Sequence, residues 1–404
     1  MRLDFRVPRR VRLVFFGRIG LGILRNYVTE QNVTIYENPR ERLNVWVALR
    51  MLFSGERSEF AYYRSFLRWT RPRAVITMED NNVTFYATKA LLPSCKTIAV
   101  QNGVRNSHSH AADSDFKHEL QRLGREGYDA DVIATLGGLG SAFYRDALPQ
   151  SRVRLVETGH LMNNALSLAN GPNSGRRLVF ISKFPNRGTQ AVDSEWDTKV
   201  IVYLGDIGLT ARQYYNIESI AARACAMIAR EYSLPFVVLG KRPAWQVAER
   251  NFFAQHLEGL QWEYLPSTFQ ASSYESIRSD DVVVNVDSTL GYELFARGLR
   301  VAFVAARMQA AGHPEIVEHQ FGYPLVTQPS GPYWTAEASE AEIRKVLSTA
   351  ISVGDEEWAT LTSSARKMLF HFDKGNSLLC QELDRLGIAN SGPRLWTREL
   401  IPKN

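Results

Sequence analysis

The stretch from Asp287 to Glu293 contains the residues whose types and spacing best suit the binding of a phosphate group. It follows a run rich in valine and opens a helical pattern, and the free backbone N–H groups at the start of a helix attract anions. The hydroxyls of Ser288 and Thr289 add to such a site, and Gly291 lets a ligand or a neighbouring backbone come close. Glu293, about one and a half helical turns beyond Ser288, is placed to accept hydrogen bonds from ribose hydroxyls. The plainer interpretation is that Ser288 only caps the helix and that Glu293 is a surface carboxylate.

Three cations follow predicted strands in the same half of the chain. Lys241 and Arg242 come after the apolar run 236–239, and Lys183 comes after the run 178–181. Because the carboxyl ends of parallel strands meet at one edge of a sheet, these side chains are placed to hold a diphosphate or a sugar carboxylate. Isolated Lys and Arg in loops are more often simply solvated, and that alternative stays open.

The first half of the chain has polar side chains at two strand ends. Glu79 and Asp80 come at the end of the run 74–78. The loop after the run 97–100 supplies amide and guanidinium groups, namely Gln101, Asn102 and Arg105. Neighbouring loops of an open parallel sheet lie side by side, so we expect these groups to bind a polyhydroxylated sugar that carries a carboxylate. The alternative is a pair of polar loops in which Asp80 caps a helix that begins near Thr84.

Alternating strands and helices must position these loops. Short runs rich in β-branched residues alternate with longer amphipathic segments, which predicts an α/β protein built from βα units and parallel sheets. The predicted strands are 11–16, 33–36, 74–78, 97–100, 132–136, 178–181, 200–204, 236–239, 262–265, 282–286 and 301–304. The predicted helices are 43–52, 59–69, 84–92, 211–231, 245–256, 290–297 and 340–353.

The length of the chain and a polar linker predict two domains. A chain of 404 residues is long for one domain, and Gly, Pro, Asn and Ser crowd the stretch 170–175. We expect a Rossmann-like acceptor-side domain over residues 1–170 and a nucleotide-sugar donor domain over residues 176–390. Residues 391–404 are predicted to form a C-terminal tail.

The composition excludes several classes of protein. The odd number of cysteines (Cys95, Cys225 and Cys380) and their spacing argue against disulfides and a zinc site, and favour a reducing compartment. No run reaches the roughly 20 apolar residues of a membrane helix, and the Arg-rich N-terminus lacks the cleavage site of a signal peptide. We therefore expect a cytoplasmic protein. The formal charge of +6 comes without a nucleic-acid-binding motif, so it suits an anionic membrane surface or a phosphorylated substrate better.

Several motifs resemble those of bacterial surface-polysaccharide glycosyltransferases. The stretch 287–293, followed by Ala-Arg-Gly at 296–298 and a strand, is similar to their donor-binding segment. The stretches 78–82 (Met-Glu-Asp-Asn-Asn) and 98–105 (Ile-Ala-Val-Gln-Asn-Gly-Val-Arg) are a second match. Gly159-His160 with Asn163-Asn164 is similar to the turn before their interdomain crossing. Within that group the chain most resembles the CMP-Kdo-dependent β-Kdo transferases of lipopolysaccharide and capsule assembly; Kdo is 3-deoxy-D-manno-octulosonic acid.

This resemblance implies a GT-B fold, in which two Rossmann-like domains face a central cleft. It also implies a CMP-linked donor bound by the segment that begins at Asp287, no metal ion or other cofactor, and retention of anomeric configuration through a carboxylate nucleophile. The chain departs from the family pattern at Lys183, where glutamine is expected, and this leaves the role of that position open.

A retaining double displacement needs one carboxylate at the anomeric carbon and a second group that acts as acid and base. Asp206 is our first choice for the nucleophile because it follows the run 200–204 in a Gly-Asp-Ile-Gly loop, although a plain turn aspartate explains that loop equally well. Glu79 or Asp80 then acts as acid and base. His160 is a further candidate for proton transfer, since its unperturbed pKa of about 6.5 lies near neutrality, but a lone histidine is more often structural.

Two other functions fit the same residues. One is an inverting GT-B transferase or an epimerase that uses a UDP-sugar, with a single carboxylate or histidine as base. The other is a non-catalytic component of a polysaccharide-assembly complex. The acceptor is expected to be a glycan or a lipid-linked saccharide. The N-terminal arginines, with Arg394 and Lys403, are predicted to dock the protein peripherally on an anionic inner membrane.

Overall fold

A computed structural model describes residues 1–105, 111–169, 175–184, 196–204, 207–267, 272–316 and 328–395. The chain divides into two compact units. The first contains Met1–Ser107, Ala112–Ala165 and Phe370–Asn404, and the second contains His108–Ala111 and Leu166–Leu369.

The first unit is built on a six-stranded parallel sheet in the order β3-β2-β5-β6-β7-β8, and its strands β1 and β4 form a separate parallel pair. The central strands are buried along their whole length and are mostly apolar, as expected where both faces of a parallel sheet are covered. The strands are β1 (Arg2–Asp4), β2 (Leu13–Phe16), β3 (Val33–Tyr36), β4 (Arg42–Asn44), β5 (Ala74–Thr77), β6 (Lys96–Val100), β7 (Val132–Thr135) and β8 (Arg154–Glu157).

Helices of the first unit cover this sheet and share a core with it in which aromatic rings are prominent. Phe16 and Tyr36 stack with ring centroids 4.9 Å apart, and Tyr63 packs edge-on against Phe16. The helices up to residue 165 are α1 (Leu21–Leu24), α2 (Val45–Phe53), α3 (Glu59–Thr70), α4 (Val83–Leu91), α5 (Ala111–Gly124), α6 (Gly138–Ala147) and α7 (Leu161–Ala165).

The second unit has its own six-stranded parallel sheet, in the order β13-β12-β9-β14-β15-β16. Two further strands, β10 and β11, pair antiparallel with each other and do not join the sheet. The strands are β9 (Leu178–Ile181), β10 (Val200–Leu204), β11 (Ile207–Thr210), β12 (Phe236–Leu239), β13 (Glu263–Leu265), β14 (Val282–Asn285), β15 (Arg300–Val304) and β16 (Trp334–Thr335).

The longest helix of the second unit, α8, begins at a capping box in which the Thr210 side chain and the Gln213 side chain bond reciprocally to backbone N–H groups. The helices of this unit are α8 (Ala211–Glu231), α9 (Gln246–His256), α10 (Ser272–Ser276), α11 (Thr289–Ala296), α12 (Arg307–Ala310), α13 (Glu340–Ser352) and α14 (Asp355–Leu369), with a 3₁₀ turn at Pro243–Trp245. Among the described residues, no helix combines the length and the apolar character needed to cross a bilayer.

The chain returns to the first unit at its C-terminal end. Helix α15 (Ser377–Arg385) is held there by Asn376, whose Oδ1 accepts a hydrogen bond of 2.8 Å from Asn164, and by an ion pair of 2.7 Å between Arg154 and Glu382. The sequence predicts a helix near 377–386 that packs back toward the first domain, and α15 confirms it. The predicted second domain ran to residue 390, so that boundary differs from the structure. The cause is tertiary, because the partners of this helix lie more than 200 positions earlier in the chain.

Each predicted strand and helix is present to within a few residues. The prediction missed the edge strands β8 and β16 because they lack an apolar run: β8 reads Arg-Leu-Val-Glu and β16 is only Trp334–Thr335. It also missed other elements, among them the strands β1, β4 and β11 and the helices α5, α6 and α14. Helix α4 begins after Asn82, whose side chain accepts a hydrogen bond from Thr84 N. The proposed cap by Asp80 is therefore wrong.

Candidate functional site

The carboxyl edge of the second sheet brings together most of the cations predicted to bind the donor. Lys183 follows β9, Lys241 follows β12 and Asp287 follows β14. Strand β9 pairs in register with both β12 and β14, so these loops are neighbours. The structure thus confirms the inference that strand ends, which are distant in sequence, meet at one edge.

Asp287 is the centre of a buried chain of charges at this edge. Its carboxylate lies 3.0 Å from Nζ of Lys183 and 2.7 Å from Nε of Arg307, and Arg307 in turn contacts Glu218 at 2.9 Å. The guanidinium of Arg307 is completely enclosed and lies over the ring of Tyr214, 4.0 Å from its centroid. Two cations alternate with two anions, so the network is neutral overall, as burial demands.

The pKa values in this network follow from the competition between burial and pairing. Burial alone would lower the pKa of Lys183, but the adjacent Asp287 carboxylate outweighs it and the net pKa is raised. For Glu218, burial dominates over the attraction of Arg307 and raises the pKa above its ordinary value. Lys183 is thus held charged, and one fifth of its side chain remains exposed.

Lys241 is a cation of this edge whose pKa is lowered. Burial, together with repulsion from Lys183 and Arg242, lowers the pKa of Lys241 to about 8. Its backbone N–H donates to Glu249, a fully buried carboxylate of α9 that also accepts a hydrogen bond of 2.6 Å from Tyr264. Burial raises the pKa of Glu249 to about 7. A partly exposed ammonium group with a lowered pKa gains most from an arriving phosphate.

Helix α11 begins where the sequence predicts a phosphate site. Ser288 occupies its N-cap position, but the side chain makes no capping hydrogen bond, and Thr289 is exposed. The interpretation of Ser288 as an ordinary side-chain cap is therefore wrong. The start of this helix lacks side-chain capping and stands next to Asp287 in the chain.

Gly291 and Glu293 have partners in the protein itself. A Cβ added at Gly291 would lie 2.2 Å from Cγ of Asn285, so the space beside Gly291 is filled by that side chain and not by a ligand or a neighbouring backbone. Glu293 is buried and accepts a hydrogen bond from Tyr274, which contradicts the alternative of a surface carboxylate. Contact of Glu293 with a ribose remains a prediction.

In the first unit, Asp80 and Arg105 form a buried ion pair. Nε of Arg105 lies 2.8 Å from one carboxylate oxygen of Asp80, Nη2 contacts the other, and Tyr144 also donates to this carboxylate. The backbone N–H of Asn102 adds a contact of 3.0 Å. Burial lowers the pKa of Arg105, but Asp80 outweighs it and raises the pKa. With these donors around it and no exposed surface, Asp80 is arranged to position the loop that carries Arg105.

Gln101 also ties this loop in place. Its side chain accepts a hydrogen bond of 2.9 Å from Leu136 N and donates one of 2.8 Å to Gly103 O, and it is almost fully buried. Of the three residues predicted to bind the acceptor, only Asn102 is exposed. The sequence pattern identified the correct loop, but it did not separate residues that build the loop from those that are free to touch a ligand.

Glu79 differs from its neighbour because it lines a cavity. This cavity of about 250 Å³ is bordered by loops after β2, β3 and β5, and Arg18, Asn38 and Asn82 also line it. Burial raises the pKa of Glu79, and hydrogen bonds from the backbone N–H groups of Ile19 and Arg18 oppose the rise in part. The same strand ends thus provide one carboxylate that is locked, Asp80, and one that is accessible with a raised pKa, Glu79.

Gly17, directly after β2, makes room for the Glu79 carboxylate. Gly17 has φ +81°, and a Cβ there would lie 1.8 Å from Oε1 of Glu79. A side chain at position 17 would thus displace the Glu79 carboxylate and strain the backbone. The signal in the sequence was a glycine directly after a strand, but only the register of β2 with β5 shows that it faces Glu79.

His160 and Asp206 are the remaining predicted catalytic residues. His160 is half-buried and directly precedes α7. Asp206, our first choice of nucleophile, lies outside the described residues. The strand before it, β10, is present as predicted, and it pairs with β11 in a two-stranded sheet that is separate from the six-stranded one. Arg242 is exposed, and in the described ranges no cluster of His, Cys, Asp or Glu has the arrangement of a metal site.

Comparisons with known proteins are consistent with this geometry. Residues 98–386 match the profile of a family described as "putative O-antigen biosynthesis protein". The Staphylococcus aureus MnaA–UDP co-structure is similar, with a TM-score of 0.50, 10% identity, and coverage of 96% of this chain and 100% of that chain. The UDP-GlcNAc 2-epimerase from Methanocaldococcus jannaschii has a TM-score of 0.50 at 8% identity, with 95% and 100% covered. No curated protein matches the sequence significantly. The fold is thus α/β with parallel sheets, of the GT-B type.

Proposed function

Since this chain belongs to the O-antigen biosynthesis family that it matches over residues 98–386, we propose that it is a glycosyltransferase of lipopolysaccharide, O-antigen or capsule assembly. It transfers a sugar from a nucleotide-activated donor to a glycan or a lipid-linked saccharide. The observation that carries this proposal is the cationic edge of the second sheet, where Lys183, Lys241 and the start of α11 follow neighbouring parallel strands. Ammonium groups and helix N–H groups there suit the phosphate of a nucleotide sugar.

We propose CMP-Kdo as the donor. The stretch 287–293 supports this choice by its resemblance to the donor segment of β-Kdo transferases. CMP-Kdo presents two anionic groups, the phosphate and the sugar carboxylate. Lys183 is already paired with Asp287, whereas Lys241 and Arg242 add positive charge at the same edge. We further propose that these cations stabilise the leaving phosphate and that no metal ion takes part.

We propose a double displacement with retention of configuration and a β-linked product. A carboxylate, for which Asp206 remains our candidate, attacks the anomeric carbon as the bond to the CMP phosphate breaks. The acceptor hydroxyl then attacks the anomeric carbon of the covalent glycosyl-enzyme, the bond to the enzyme carboxylate breaks and releases that carboxylate, and the hydroxyl proton passes to a general base. Glu79 suits that acid and base role better than Asp80, because Glu79 lines a cavity and has a raised pKa, while Asp80 is buried in an ion pair. His160 remains an alternative for this proton transfer.

The second candidate function is an inverting transferase or an epimerase that acts on a UDP-sugar. The similarity to a UDP-GlcNAc 2-epimerase and to a structure that holds UDP favours it, although the low identities limit that likeness to the fold. A non-catalytic component of an assembly complex is the third candidate, and it would bind no nucleotide.

Nucleotide binding separates these candidates. We expect CMP to raise the melting temperature of the full chain more than UDP, GDP or ADP does, because a ligand that binds only the folded state stabilises it. Replacing Ser288 and Thr289 together by Ala should weaken CMP binding by roughly 1–3 kcal/mol. A matched control replaces Ser219 and Ser363, hydroxyls of other helices in the same unit, by Ala. A response to UDP alone supports the second candidate, and no response to any nucleotide supports the third.

The chemistry is tested by incubating the enzyme with donor alone. Mass spectrometry should detect a sugar-sized adduct on the peptide that contains Asp206, and Asp206→Asn should lose both the adduct and the transfer while CMP still binds. An adduct on a different carboxylate would keep the double displacement and reject Asp206. A product of inverted configuration would reject the retaining mechanism.

A further inference from the structure

Helix α2 of the first unit is apolar on both of its faces. Val47 is buried, and Ala48 and Met51 pack against the core. On the opposite side, four large apolar side chains are exposed: Trp46, Leu49, Leu52 and Phe53. Trp46, Leu49 and Phe53 follow the three- and four-residue spacing of one helical face, and Phe53 is 89% exposed. A helix that is apolar all round normally has both faces covered.

The N-terminal segment extends this apolar surface. Apolar and charged residues alternate in this segment, with the apolar ones at odd positions. All four apolar side chains are exposed: Met1, Leu3, Phe5 and Val7. Strand β1 pairs with β4, which leads directly into α2. Trp46 Nε1 donates a hydrogen bond of 2.8 Å to Phe5 O, and Asn44 Nδ2 donates one of 2.8 Å to Arg6 O. Segment and helix therefore form one surface, which we call the α2 face: residues 1–7 together with Trp46, Leu49, Leu52 and Phe53.

Positive charge is concentrated around the α2 face. Residues 1–57 contain eleven arginines, no lysine and five acidic residues, an excess of six positive charges. This excess equals the net charge of +6 of the whole chain, so the other 347 residues are neutral in sum. Several of these arginines are exposed and lie within a few positions of the apolar residues in the sequence: Arg2, Arg6, Arg9, Arg10, Arg50 and Arg57.

We infer that the α2 face docks on the surface of an anionic lipid bilayer. Exposed Trp, Phe and Leu side chains insert at the boundary between headgroups and acyl chains, and the surrounding arginines bind anionic headgroups. Both the apolar side chains and the arginines contribute to the affinity, because the free energy of burying apolar area and the attraction to anionic lipid add together. We choose an anionic bilayer as the partner because the positive charge of residues 1–57 is complementary to anionic headgroups. The inference does not depend on the transferase activity.

The structure changes the set of arginines that the sequence predicted for this role. Arg394 donates a hydrogen bond to the backbone oxygen of Asn26, so its guanidinium is engaged within the protein. Lys403 lies outside the described residues. The apolar side chains of α2 were assigned to an ordinary helix by their periodicity, and their exposure is visible only in the structure.

Vesicle co-sedimentation with the full chain tests the inference. The protein should bind vesicles of phosphatidylglycerol mixed with phosphatidylcholine, and it should bind vesicles of phosphatidylcholine alone much more weakly. Arg9→Gln with Arg10→Gln should weaken binding about 30-fold, at about fivefold for each arginine. Arg223→Gln with Arg230→Gln, exposed arginines of α8, is the matched control and should change little.

The apolar half of the α2 face is tested separately. Leu49→Ser with Phe53→Ser should weaken vesicle binding by more than about tenfold. Tyr203→Ser with Val247→Ser is the control, because these exposed side chains belong to the second unit. Circular dichroism should show the same folded state for all four double variants.

Fluorescence locates the contact within the bilayer. Brominated lipid should quench part of the tryptophan emission, and Trp46→Phe should remove most of that quenching while the protein still binds. The inference would be overturned if vesicle binding did not depend on the content of anionic lipid, or if the quenching of tryptophan emission persisted in Trp46→Phe. A dimer in sedimentation that Leu49→Ser with Phe53→Ser dissociates would assign the α2 face to a second copy of the chain instead.

Discussion

Arg307 Nε lies 2.7 Å from Asp287 Oδ2, in an ion pair whose guanidinium has no contact with solvent. Arg307 comes three residues after β15 and Asp287 two residues after β14, so the pair ties together two adjacent strand ends. Through Asp287 the same pair holds Lys183, which reaches the surface. The cation proposed to bind phosphate is therefore positioned by an ion pair whose arginine is completely buried.

Replacing Arg307 by Met should destabilise the protein by about 3–5 kcal/mol, because Asp287 and Glu218 then lose their buried partner. Urea unfolding measures this change. Arg344→Met is the control: Arg344 pairs with acids near the surface, and its loss should cost less than about 1 kcal/mol. Equal effects of the two substitutions would contradict the burial argument.

Substitutions of Glu79 and Asp80 should have different effects, the first on the transfer rate and the second on the stability of the fold. Glu79→Gln should lower the transfer rate by about 10²–10⁴-fold and leave the melting temperature nearly unchanged, because it removes an acid and base group from a cavity. Glu41→Gln changes another acid of the same cavity and should retain activity. Asp80→Asn should instead destabilise the protein by about 3–5 kcal/mol, since it removes the carboxylate that neutralises Arg105. A stable but inactive Asp80→Asn would reverse these roles.

The affinity for nucleotide should fall as the pH rises through about 8. The pKa of Lys241 is lowered to about 8, so the side chain loses its charge there, whereas an ordinary lysine stays charged to about pH 10. Calorimetric titration with CMP at pH 7 and pH 9 should show a decrease of about tenfold. In Lys241→Met the affinity should be weak and independent of pH, and in Lys345→Met the wild-type dependence should remain.

The same lowered pKa predicts an effect on stability. Because the folded protein disfavours the charged form, protonated Lys241 destabilises the fold below pH 8, and this penalty disappears between pH 8 and the unfolded pKa of 10.5. Without ligand, Lys241→Met should therefore be more stable than wild type at pH 7, by up to about 3 kcal/mol. Urea unfolding at pH 7 and pH 10 tests this, and a larger advantage at pH 10 would contradict it.

Gly291→Ala should destabilise the start of α11, because the new Cβ would lie 2.2 Å from the Asn285 side chain. Overpacking of this kind costs about 1–3 kcal/mol. Adding Asn285→Ala removes the clash, so the double variant should be more stable than the sum of the two single effects predicts. Additive effects would show that Asn285 does not occupy this space.

The sequence by itself determined most strands of the two large sheets and the type of fold. Periodicity is a local property: the buried runs 178–181 and 236–239 are apolar at every position because both faces of a parallel strand are covered. The helix start at Ser288 was predictable for the same reason, since a strand, a polar break and a helix follow one another within a few residues. Local patterns were therefore enough to place the loops that carry Glu79, Lys183 and Lys241 at strand ends.

Only the tertiary structure decided what each side chain at those ends does. Asp80 and Glu79 are adjacent and chemically alike, but Asp80 meets Arg105 and Tyr144 in the interior, whereas Glu79 turns to a cavity and the loop at Gly17. Burial depends on neighbours far away in the chain, and no local pattern encodes it.

The same holds for the groups that the sequence did not single out. Glu218 and Glu249 are on the helices α8 and α9, where an acidic residue normally faces water, and the fold buries both beneath the cationic edge. Conversely, the apolar periodicity of α2 predicts burial, and the fold leaves Leu49 and Phe53 exposed. A sequence records which faces of an element are apolar, but which of them find a partner is decided when the elements pack.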